Sequence, residues 1–348
     1  MLADRRLGIT IPFAAPLAEH GEPLKRLAAA GYTDFWTAET AGADAFTPLA
    51  GAAPLLPEAR LGTAIASVFT RGPALLAMSA AALAEAAPGR FALGLGAASA
   101  AIVSDWNSLP FERPLARVRD TVRFLRAALA GERVEEEYET FAVRGFRLER
   151  VPATPPPILL GALRPKMLAL AGAEADGAIL NWLAAGDVPT AAAHVRAADE
   201  DRSSHGGNRP GREIAARIFV CPSTDTEAVR AGARRLVAAY LTVPAYAAYQ
   251  RWLGREEQLA PLWERWERGE RREAAASVPD EVIDALFVHG TPERCAAGIA
   301  AYAEAGVDTP ILKLLPLDPA VDPLEGALAV AAAHWDRGEN PRPAVPYA

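Results

Sequence analysis

The chain has little of what most catalytic motifs are made from. Only two cysteines occur in its 348 residues, Cys221 and Cys295, which excludes a disulfide framework and a cysteine metal cluster. The five histidines are His20, His194, His205, His289 and His334. None has metal-ligand spacing to another, and none follows a predicted strand end. There is no G-x-S-x-G elbow and no P-loop. A basic excess is absent too: the formal net charge is −7, which argues against a nucleic-acid surface. No stretch offers ~20 uninterrupted apolar residues, so no membrane span is expected. The opening MLADRRLGITIPFA has no long apolar core before a cleavage site. With so few cysteines, a reduced, cytoplasmic setting is expected.

What is present is an apolar framework. Hydrophobic residues make up 51% of the chain, enough for a large core. Short apolar runs alternate with helical segments almost from end to end. Leu7–Ile11, Asp34–Thr37, Leu61–Ile65, Phe91–Gly96, Ile158–Gly161, Asp176–Asn181, Glu213–Cys221 and Pro310–Leu315 read as strands. Helices are predicted over Pro16–Ala30, Pro73–Ala87, Pro114–Ala130, from Pro165, over Asp187–Asp201, Asp225–Leu241, Pro292–Ala305 and Leu324–Trp335. Prolines open several of them and glycines close others. Eight strands separated by helices are the pattern of a (β/α)₈ TIM barrel, one α/β domain over residues 1–348. The rhythm breaks twice. After the fourth strand, EEEYETFAVRGFRL alternates enough to suggest a small hairpin. After the seventh, residues 243–279 form a helical insertion carrying Tyr246, Tyr249, Trp252, Trp263 and Trp266. That insertion suits a lid, an oligomer surface, or packing onto its own barrel.

In a barrel, functional residues sit in the loops after the strands. This selects Glu39 and Thr40, then Ser67 and Arg71, then Asn107, then Gly161 with Arg164 and Lys166, then Asn181 and Trp182. Few are strong acids or bases, which suits a cofactor that carries the reaction itself. Glu39 also suits capping the next helix or pairing with an arginine, and Arg71 an ion pair that holds its loop. Arg164 and Lys166 flank Pro165 at a helix start, a candidate phosphate site. Cys221 ends a strand with no histidine placed to activate it, and reads as a structural thiol. The run PGRFALGLG, Pro88 to Gly96, reads as a strand buried on both faces, whose glycines leave room where it ends.

Several segments together resemble the luciferase-like oxidoreductases, the group that includes bacterial luciferase and deazaflavin (coenzyme F420) dependent enzymes. They are LGTAIASVFTRGP (Leu61 to Pro73), PGRFALGLG, the W-x-x-x-P-F-x-x-P pattern of Trp106 to Pro114, RVRDTVRFLRAALAGE (Arg117 to Glu132), ADGAILNW (Ala175 to Trp182) and GTPERCAAGIAAYAEAGVDTPIL (Gly290 to Leu312). The resemblance implies a flavin or deazaflavin at the C-terminal face. It implies a non-prolyl cis peptide at Ala64–Ile65 behind the ring, with Ser67 close by. Gly96 lets backbone approach the ring. Glu39 falls on an acidic ring-contacting position and Asn181 on a cofactor-contacting one. Ala64, Ile65, Ser67, Gly96, Gly161, Arg164, Lys166, Asn181 and Trp182 are thus the expected cofactor-binding set, and Glu39, Thr40 and Asn107 the expected catalytic set. Thr40 stands where sugar-phosphate dehydrogenases of the family carry a histidine, which counts against that substrate.

The expected activity is hydride transfer between coenzyme F420 and a small organic substrate. The alternatives are a monooxygenase using reduced FMN and oxygen, and a non-catalytic flavin-binding protein. No metal, nucleic-acid or membrane partner is expected. A homodimer is open, with the aromatic insertion as its candidate surface.

Overall fold

The computed structural model describes residues 6–11, 15–203 and 211–336. His205 and the two ends of the expected domain, 1–5 and 337–348, lie outside them. Eight strands form the barrel: β1 (Gly8–Ile11), β2 (Asp34–Thr37), β3 (Arg60–Thr63), β4 (Phe91–Gly96), β5 (Ile158–Gly161), β6 (Gly177–Leu180), β7 (Glu213–Cys221) and β8 (Thr309–Leu314). Every neighbouring pair is parallel, and β8 pairs with β1 to close the ring. The architecture is the (β/α)₈ TIM barrel expected from the apolar alternation.

Helices cover the outside because each carries an apolar stripe. In Pro114–Leu129 the buried positions include Val118, Thr121, Val122, Leu125, Ala128 and Leu129, the spacing of one helix face. Asp120 on the same helix is also buried, and accepts hydrogen bonds from the Thr140 amide and hydroxyl at 2.9 Å each. That contact ties down an antiparallel hairpin, Val134–Glu137 with Ala142–Phe146, where the hairpin was expected.

The barrel interior is filled by Trp36, Ala92, Leu159, Ile179, Ala215 and Ile311, from six different strands. Trp36 is the largest, and Gly8 and Gly62 make room for it: a Cβ at Gly62 would lie 2.2 Å from its ring. At the N-terminal end the first residues of four strands form one charged network. Arg60 donates to both carboxylate oxygens of Glu213, at 2.7 and 2.8 Å. It also lies 3.6 Å from Asp34, and Thr309 donates to Glu213 at 2.6 Å.

The structure departs from the sequence reading in three places. The first expected helix starts later, at Gly21 after a short turn at Leu17–Glu19, because Pro23 has no N–H to bond the carbonyl four residues back. The third strand stops at Thr63 and resumes as Ala66–Ser67 on β4, because the chain bulges between them. A short strand, Phe287–His289, pairs with the C-terminal end of β7. So His289 lies at the end of a strand, opposite Cys221 in register. Three residues are too few to show a period, so the sequence hides this strand.

Helices Pro244–Trp252, Glu256–Glu267 and Arg271–Ala276 occupy the aromatic segment after β7. Their aromatics face inward. Tyr249 is fully buried, the Trp263 indole donates to the Leu241 carbonyl at 2.9 Å, and Gln250 donates to the Trp182 carbonyl at 2.6 Å. The segment packs onto its own barrel. No helix among the described residues is long and apolar enough to cross a membrane.

Candidate functional site at the C-terminal mouth

The bulge after β3 organises one side of the mouth. The Ala64–Ile65 peptide is cis, at the bond the family resemblance indicated. Ile65 is carried inward, where β4 and β5 end in glycines. A Cβ at Gly96 would lie 3.0 Å from the Ile65 side chain, and one at Gly161 also 3.0 Å from it. Both glycines clear space for the Ile65 side chain. Gly94 is more constrained still, since a Cβ there would lie 1.8 Å from the Thr63 carbonyl. Thr63 Oγ1 both donates to the Gly94 carbonyl and accepts from its amide, at 2.7 and 2.8 Å. That clasp fixes where the bulge begins.

Glu39 pins the bulge from the β2 side. Its Oε2 accepts from the Ser67 amide at 3.2 Å, and its Oε1 from the Ala45 amide at 3.2 Å. Arg71 completes the set, donating from Nη2 to Oε1 at 2.9 Å. Arg71 also reaches Asp44 at 3.1 Å, whose carboxyl is held below its usual range by the amides of Phe46 and Thr47, a hydrogen bond from Thr47 and the Arg71 charge, against the opposing effect of burial. A carboxylate with both oxygens engaged holds position well. The Ser67 hydroxyl is likewise committed, accepting from the Phe69 and Thr70 amides, so Ser67 presents backbone to the mouth.

The remaining predicted residues are not drawn to this cluster. Thr40 is exposed, and so are Arg164 and Lys166 at the start of helix Pro165–Glu174. Asn107 is exposed as well; it donates to the Ile102 carbonyl at 2.7 Å and caps a six-residue π-helix, Ala101–Trp106. Trp182 is buried among Phe219, Tyr240, Tyr246 and Phe287, with ring centroids 4.5–6.3 Å away. Its ring joins the insertion to the barrel. Asn181 is half-buried at the mouth, and its side-chain oxygen accepts from the Trp182 amide at 3.0 Å. A recess of about 350 Å³ beside the mouth, lined by Phe69, Leu109, Pro110, Arg113, Arg117 and Thr140 among others, contains none of these residues.

Two residues at the mouth escaped the sequence reading. Ala215 and Ile311 point into the barrel, so by strand alternation Arg217, Phe219 and Lys313 point there too. Arg217 stands one residue past the last β6–β7 pair, Ala216 with Leu180, level with Asn181. Its Nε is buried with no hydrogen-bond partner, and burial depresses its guanidinium below the ordinary arginine range. Burial, with Arg217 adding to it, brings the Lys313 ammonium down to about 8. Among the described residues neither forms an ion pair with a carboxylate. The signal was there to read: a lone cation inside each of two apolar strands, EIAARIFVC and TPILKL, is expensive to bury without a purpose.

The bulge, its glycine-backed Ile65 and the opposed cations fit a flat ring at the mouth with a polar partner across from it. A family model for luciferase-like monooxygenases matches residues 4–309. A Mycobacterium tuberculosis protein named as a candidate coenzyme F420-dependent oxidoreductase is 30% identical over 335 residues, covering 88% of this chain and 94% of the relative. The 5,10-methylenetetrahydromethanopterin reductase of Methanolobus tindarius is 28% identical over 263 residues, 75% of this chain and 78% of that one. In fold, the coenzyme F420 dependent tetrahydromethanopterin reductase of Methanopyrus kandleri superposes with a TM-score of 0.76 at 21% identity, over 94% of this chain and 97% of that one. The chain belongs to the luciferase-like monooxygenase family of oxidoreductases.

Proposed function

We propose that this protein is a coenzyme F420-dependent oxidoreductase acting on a small organic substrate at the C-terminal mouth of the barrel. The observation that carries this reading is the platform at the end of β3, where Ile65 lodges against Gly96 and Gly161. Relatives named for coenzyme F420 support the same reading. When bound, the deazaflavin supplies or accepts a hydride at its C5 carbon.

The chain's own residues position, shield and neutralise. Glu39, through the Ser67 amide and Arg71, holds the platform rigid. Asn181 lines the edge of the platform across from the bulge. Arg164 and Lys166, at a helix N-terminus, supply positive charge for the cofactor's phosphate-bearing tail. The aromatic cluster around Trp182 closes the β6–β7 side against water, and hydride transfer needs such a dry, close approach of about 3–3.5 Å. Thr40 and Asn107, both exposed, are the hydroxyl and amide that would relay a proton between substrate and solvent.

Cofactor choice tests the reading. Oxidised coenzyme F420 and FMN are each titrated into the purified protein while cofactor fluorescence is followed. Saturable quenching of coenzyme F420 without FMN binding is expected. Tight FMN binding with no coenzyme F420 binding would overturn the reading in favour of a reduced-FMN monooxygenase.

A further inference from the structure

We propose that the β7–β8 side of the mouth is a subsite for an oxyanion carried by the substrate, a carboxylate or a phosphate, bound by Arg217 and Lys313. The placement rests on the cofactor reading above in one respect: the ring occupies the β3 side. Strands four apart in a closed eight-stranded barrel stand diametrically opposite each other. A ring seated on the β3 bulge therefore turns its free face toward β7, and the substrate lies between that face and Arg217.

Among the described residues, the cations on that side have no carboxylate in an ion pair with them. Arg217 has only Tyr240 and Tyr246 as favourable electrostatic partners, and burial raises the Tyr246 hydroxyl above its ordinary range, so it stays neutral. Lys313 meets Arg217, a like charge. Thr10 on β1, one residue beyond the Ile9–Leu312 register pair and thus level with Lys313, has a buried hydroxyl with no partner. The nearest well-defined carboxylate of the bulge, Glu39, is already paired with Arg71. Two unpartnered donors, the Arg217 Nε on β7 and the Thr10 hydroxyl on β1, and the Lys313 ammonium on β8 belong to inward-facing positions at this end of the barrel, where a ligand with several acceptor oxygens would satisfy them together. The aromatic side chain of Phe219 lies beneath the Arg217 guanidinium, 5.8 Å from its centroid, and offers an apolar floor for the rest of such a molecule.

The same fold shows what a structural arginine looks like. Arg60, pointing into the opposite end, is matched by Glu213 and Asp34 from neighbouring elements. Among the described residues half-buried Arg217, with its Nε buried and unpartnered, has no such match, and an unmatched cation persists where a ligand completes it.

The test uses sodium benzoate and inorganic phosphate as probes and benzamide as the neutral isostere of benzoate, at constant ionic strength. Binding is read by tryptophan fluorescence and by unfolding temperature, with and without coenzyme F420. At least one anion should bind ten-fold or more tightly than benzamide, and the stronger one identifies the oxyanion. Arg217→Gln and Lys313→Gln should each weaken anion binding at least ten-fold while benzamide binding is unchanged. Neither anion binding more tightly than benzamide, no saturable binding of either anion, or wild-type anion affinity in both variants overturns the proposal. The titrations without cofactor separate the two readings: a protein that ignores coenzyme F420 yet binds the anion through Arg217 sinks only the cofactor assignment.

Discussion

Two arginines that point into this barrel, Arg60 at one end and Arg217 at the other, are treated in opposite ways. At the N-terminal end, Arg60 makes a two-pronged pair with Glu213 and lies over the Trp36 ring at 5.3 Å. Burial alone would depress its guanidinium, but Glu213 and Asp34 more than offset that and raise it. Glu213 is correspondingly held below the usual carboxylate range, since Arg60 and Thr309 outweigh its burial. At the C-terminal end, Arg217 meets burial with no carboxylate, and its guanidinium is depressed. One end is electrostatically finished within the chain. The other is left open, and in barrel enzymes that is the end where substrates bind.

Removing a charge should therefore have opposite consequences at the two ends. The largest effect is expected from Arg60→Met. It leaves Glu213 and Asp34 without their shared cation, and loss of one partner from a buried pair costs about 3 kcal/mol. The midpoint of urea unfolding should fall accordingly. An unchanged midpoint would mean that the N-terminal network is ornamental and the contrast between the ends has no energetic content.

A smaller effect is expected on the platform. Gly161→Ala places a methyl 3.0 Å from Ile65 and forces a shift of a few tenths of an ångström, at a cost of about 1 kcal/mol. Coenzyme F420 affinity should drop while the barrel stays folded by circular dichroism. Unaltered affinity would separate Ile65 from the cofactor site.

The smallest effect concerns pH. Lys313 is near 8 when folded against an ordinary 10.5. Between those values the folded state binds fewer protons than the unfolded one, so this group adds stability as pH rises through that window. Lys313→Met should be more stable than wild type at pH 7, and the gap should narrow from pH 8 upward. A constant gap would show that Lys313 reaches solvent freely.

Much of this was legible in the chain, and the reasons differ by feature. Buried parallel strands are continuous apolar runs, so all eight appeared within a residue or two of their positions. The break at Ala64–Ile65 carries no signal in composition; it was reached through resemblance to a family. An ion pair was one of the readings open for Glu39 and for Arg71, and the structure pairs the two with each other. Arg60 and Glu213 are 153 residues apart, and nothing local links them. Arg217 and Lys313 were overlooked because a single charge in an apolar strand reads as noise until strand alternation shows which way it points. Thr40, Asn107, Arg164 and Lys166 were chosen by loop position, by the helix start at Pro165 and by the family resemblance, and all four are exposed.

The contrast between the ends has one direct measurement: the urea unfolding midpoint of Arg217→Met in the absence of any ligand, beside wild type. If Arg217 is held unmatched for a ligand, removing its charge relieves a penalty, and the midpoint should rise by the equivalent of about 1 kcal/mol. A fall comparable to that of Arg60→Met would show that Arg217 is a structural residue satisfied within the fold, and would contradict the account.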